Sequence, residues 1–74
     1  MGTKVAIDFL SEILPEDLEV SLPAFQAGRA VEVAHKGLSV HEAAKEEGVP
    51  VSVMRKSLSW AVANMERAIT EANS

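Results

Sequence analysis

From Val51 to about Ala72 the sequence contains neither glycine nor proline, and Met54, Leu58, Ala61, Val62, Met65 and Ile69 recur along it at helical spacing. That spacing predicts a long final helix with one apolar stripe. The stripe has to be covered, and a chain of 74 residues has room for one domain, residues 1–74, burying roughly 60% of its unfolded surface. A core this small supplies only about 3–5 kcal/mol, and the absence of cysteine removes disulfides and thiolate metal ligands. Packing, or a second subunit, must do the rest.

The upstream residues read as shorter helices. Ala6, Phe9, Leu10, Ile13 and Leu14 make one face of a first helix that Pro15 ends. Between Pro15 and Pro23 there is space for about one further turn, around Glu16 to Val20, because a proline disfavours helical geometry in the residue before it. Pro23 suits the first position of the next helix. Its small residues Ala24, Ala27, Gly28, Val31 and Ala34 form a face for close approach, with His35 and Lys36 in its last turn and Gly37 as its terminator. Ser39 with Glu42 makes a capping box for a short helix VHEAAKEE that stops at Gly48. No segment alternates as a strand would. The expected fold is all-α, a small bundle of four to five helices.

Charge and composition exclude several functions. No apolar run is long enough to span a membrane, and the start MGTKVAIDFLSEIL is too charged for a signal peptide, so the expected compartment is the cytoplasm. No nucleophile-base set, carboxylate pair, phosphate loop or metal cluster can be assembled, which argues against an enzyme, a metal or a cofactor. His35 and His41 lack partners at ligand spacing and read as surface histidines. The net charge of −4 opposes general coating of nucleic acid. All of it comes from residues 1–20, where Lys4 faces Asp8, Glu12, Glu16, Asp17 and Glu19; the remainder is neutral.

Residues 39–59 carry the strongest pattern. Counting from Val40, an alanine (Ala44) is fifth, a glycine (Gly48) ninth, a branched apolar residue (Val49) tenth and another apolar residue (Met54) fifteenth. Two helices crossing through a short turn need a small residue at the contact, a glycine at the bend and apolar side chains, including Leu58, to lock the second helix. The segment resembles bacterial helix-turn-helix regulators. The order AVEVAHKG, AKEEGV, SLSWAVANM is most similar to plasmid repressors of the KorA type, with two departures: Pro50 replaces the usual capping Ser or Thr, and Ser57 replaces a common apolar residue. A weaker resemblance, confined to AHKGLSVHEAAKEEGV, is to the small C-terminal module of fumarase and aspartase enzymes, whose catalytic body is absent.

What the helix-turn-helix resemblance implies is a transcriptional repressor that reads double-stranded DNA in the major groove. Val51, Ser52, Arg55, Lys56 and Ser59 would face the groove, and Lys45, Lys36 and Arg29 would meet phosphates. A homodimer is expected because such proteins read paired half-sites. Its interface would be the distal stripe Ala61 to Ile69, with Val62, Met65, Ile69 and, at the edge, Trp60. The competing arrangement folds the first helix back over that stripe. Trp60 reads either as packed on a neighbouring helix or as a subunit anchor. The alternative function is a small inhibitor or adaptor of a mobile element that grips a protein partner through its acidic first helix.

Overall fold

The computed structural model describes residues 2–73 and consists of five helices: α1 (Thr3–Ser11), α2 (Pro15–Ser21), α3 (Ala24–Ala34), α4 (Val40–Glu47) and α5 (Val51–Ala72). The all-helical bundle with a long last helix is therefore as expected, and α4 and α5 have the expected bounds. One apolar core joins the helices. Leu10, Leu18, Met54, Leu58 and Val62 are its largest fully buried members.

Local readings of α1, α2 and α3 are corrected. α1 ends at Ser11, before Pro15 can act: the Ser11 hydroxyl donates to the Asp8 carbonyl at 2.7 Å, and the Glu12 N–H turns back to Phe9 and Leu10. Leu14 thereby becomes the extended residue before a proline (φ −60°, ψ 141°) and is 59% exposed. Between the prolines, α2 uses the whole interval rather than one turn, because Pro15 sits in its first turn and Leu22, not an earlier residue, takes the extended pre-proline conformation.

In α3 the buried face is Gln26, Ala27, Ala30 and Val33. Of the small face expected there, Ala27 is buried and Val31 and Ala34 half-buried, but Ala24 and Gly28 are exposed. Size alone misplaced the face by about a quarter turn, because the packed side carries a polar residue, Gln26, that finds a partner on α5. The helix also stops at Ala34. His35 follows it, and its Nε2 donates to the Ile13 carbonyl at 2.7 Å, tying the end of α3 to the corner after α1. Gly37, with φ +77°, makes the reversal into α4.

The α5 stripe is covered within the chain. Met54, Leu58, Ala61, Val62 and Met65 are each at most 3% exposed, beneath α1, α3 and α4. The expectation that Val62 and Met65 form a subunit interface is thus corrected: both are buried within the single chain, at 1% and 3% exposed, and α1 is among the helices packed on α5. Trp60 and Ile69 do remain exposed, at 56% and 44%. They are nine residues apart, about two and a half turns, so they lie on opposite sides of α5 and cannot share one flat interface. The packed reading of Trp60 is likewise overturned.

Candidate nucleic-acid interface

The α4–α5 unit is built by local rules. Ser39 Oγ accepts from the Glu42 N–H at 3.0 Å while Glu42 Oε1 accepts from the Ser39 N–H at 3.1 Å, completing the capping box. The Ser39 N–H also holds the Glu42 carboxyl below its ordinary pKa. At the other end Gly48 is left-handed (φ 78°, ψ 30°), its N–H bonds Lys45, and the Val49 N–H bonds Ala44 at 3.0 Å. This 6→1 and 5→2 pair is a Schellman stop, which brings Val49 against Ala44. Pro50, extended, then launches α5 without any side-chain cap. Ala44, Met54 and Leu58 are each 1% exposed at the contact.

Outward from this contact, Ser52, Arg55 and Lys56 are exposed on α5, and Val51 and Ser59 are half-buried. Lys45 is exposed on the outer side of α4, one turn from exposed His41. Arg55, Lys56 and Lys45 have no hydrogen-bond or ion-pair partner among the described residues. Lys36 is also exposed, in the turn between α3 and α4. α5 has no capping side chain, so no side chain at the N-cap accepts from the N–H groups of its first turn.

Arg29 does not belong to this surface, which corrects its reading as a phosphate contact. Its Nε and Nη2 donate to the Glu47 carboxylate at 2.7–3.0 Å, its Nη1 donates to the Ser57 hydroxyl, and its guanidinium lies 5.4 Å from the centre of the Phe25 ring. The fork raises the Arg29 pKa and holds Glu47 below the usual carboxylate range. One side chain therefore clasps α3, the end of α4 and the middle of α5. A second polar tie lies further along α5, where Asn64 Nδ2 donates to Gln26 Oε1 at 3.0 Å and Arg67 donates to Asn64 Oδ1. Sequence spacing gives no sign of either partnership. The available signal was Ser57 itself, a polar residue on an otherwise apolar stripe, which must find a partner when buried.

No group of His, Asp or Glu among the described residues is arranged to hold a metal, and no helix among them is long and apolar enough to cross a membrane. No family model, curated protein or solved structure matches this chain.

Proposed function

We propose that α4 and α5 form a DNA-binding helix-turn-helix, with the first half of α5 in the major groove of double-stranded DNA. The observation that carries this reading is that the cations of the glycine-bent two-helix unit, Lys45 on α4 and Arg55 and Lys56 on α5, are exposed and unpaired, while Arg29 of α3 is engaged by Glu47 and Ser57. Arg55 is suited to a bidentate guanine contact, Ser52 to a base or phosphate, and Val51 to a thymine methyl. Lys45, Lys56 and Lys36 supply phosphate contacts, and Ser59 marks the far limit of reach along α5. Transcriptional repression in the cytoplasm, as by phage or plasmid regulators, is what the resemblance adds.

Two copies on dyad-related half-sites multiply the few base contacts one copy can make. With Val62 and Met65 buried, Trp60 is the anchor for that pairing, since a half-exposed tryptophan is a common interface anchor. Mobility shift on random duplex at low salt, repeated as salt is added, tests the DNA reading: binding must weaken steeply as counterion release requires. On a selected site Arg55→Ala should lose about 1–3 kcal/mol, whereas Lys45→Ala should weaken all sequences alike and lower the salt slope by about one phosphate. No shift at any salt refutes it. Sedimentation of the parent and of Trp60→Ser tests the pairing separately, a monomer mass for the parent at DNA-binding concentration removing it.

A further inference from the structure

At the opposite end of α5 from Arg55 the surface changes character. The corner between α1 and α2, α2 itself and the last two turns of α5 line an open groove of about 370 Å³. Ile13, Met65 and Ala68 form its base, and Leu14, Val20 and Ile69 its walls. Those three wall residues are 59%, 86% and 44% exposed. Large aliphatic side chains held in water around one concavity mark a place where another surface packs.

The charge around the groove selects the occupant. Glu12 and Asp17 line it, and Glu16 and Glu19 lie on the same short α2; none of the four has a cationic partner among the described residues. A second copy of this chain docked groove to groove would bring two such acidic segments together, and nucleic acid would be repelled. The groove lies between two helices, α2 and α5, a form that takes a third helix by ridges-into-grooves packing. We infer that this groove docks a basic amphipathic helix of another protein, with apolar residues at i, i+3 or i+4, and i+7 between Glu12 and Asp17, and with lysines or arginines meeting those carboxylates. The inference does not depend on the DNA reading, because it concerns the other end of α5.

The probe is a fluorescein-labelled peptide of roughly 15 residues, long enough for a marginal helix, with leucines at those spacings and lysines elsewhere. Controls are a scrambled peptide of equal composition and one with glutamates in place of the lysines. Anisotropy should rise for the basic helix only. Glu12→Lys with Asp17→Lys should weaken it at least about tenfold, roughly 1.4 kcal/mol, and Val20→Ser with Ile69→Ser should do the same. All four positions are exposed, and circular dichroism checks that the variants stay folded. Equal binding of the scrambled or the acidic peptide overturns the proposal. So does a dimer of the parent chain that Ile69→Ser dissociates, because the groove would then be filled by a second copy.

Discussion

Replacing Arg29 by methionine keeps the stem and removes the fork. Ser57 is 4% exposed, so its hydroxyl would lose its donor where water cannot replace it, at a cost of about 1–3 kcal/mol. The Glu47 ion pair adds less, because the Glu47 side chain is 37% exposed and such pairs contribute about 0–1 kcal/mol. Contact with the exposed Phe25 ring contributes about 0.5–1 kcal/mol more. These effects share one side chain and do not add fully, so we expect about 2–3 kcal/mol. A domain of this size shifts by about 4–8 °C per kcal/mol, giving a fall in Tm of roughly 10–20 °C by circular dichroism. A double-mutant cycle with Ser57→Ala isolates the clasp. With the hydroxyl gone, Arg29→Met should cost at least about 1 kcal/mol less than in the parent. Additivity within about 0.5 kcal/mol, or an unchanged Tm for Arg29→Met, would refute the clasp.

Glu47 and Glu42 both have depressed pKa values, so the stability they contribute is present above the ordinary carboxylate value of 4.5 and is lost as pH falls through their folded values. Urea titrations should be flat from pH 7 to about 5 and decline below 4.5; Glu47→Gln should lower the plateau and flatten that acid limb, and an unaltered limb would contradict the assignment. Gly48→Ala should cost about 1–2 kcal/mol and Gly48→Val more, through the left-handed backbone alone, since a Cβ there meets no atom within 4 Å. Gly48→Asn should recover part of the loss in thermal melts, and equal melting of all three variants would mean that the bend does not need this conformation.

The elements legible in the sequence were those fixed by local chemistry. Ser39 and Glu42 start α4 by bonding each other, Gly48 ends it by its left-handed φ, and an uninterrupted stripe defines α5; each signal lies within a few residues. What covers the stripe was not legible, because α1 and a second copy are equally apolar candidates and the choice rests on how tightly the corner at Glu12 to Leu14 turns. That turn depends on Ser11 bonding backwards and on His35, 22 positions away, holding the Ile13 carbonyl. In the candidate site, Arg55, Lys56 and Lys45 could be placed on an outer face from periodicity alone. Arg29 could not be removed from it, since the acid that engages it is 18 residues distant and belongs to another helix.

The net charge of −4 stands against DNA binding only if the acidic residues are felt at the proposed contact surface. Glu12 and Asp17 line the same distal groove as Ile69, and Ile69 lies fourteen residues beyond Arg55, about 21 Å along the helix. At physiological ionic strength the screening length is about 8 Å, so repulsion across that distance is largely suppressed; at 10 mM salt it is about 30 Å, and the two ends interact. Neutralising the pair as Glu12→Gln with Asp17→Asn should therefore tighten binding to random duplex at 10 mM salt and leave it nearly unchanged at about 150 mM. Fluorescence titration at the two ionic strengths reads this directly. Equal tightening at both would mean that phosphate approaches the acidic end itself, and the surface around Arg55 would lose its standing as the DNA contact.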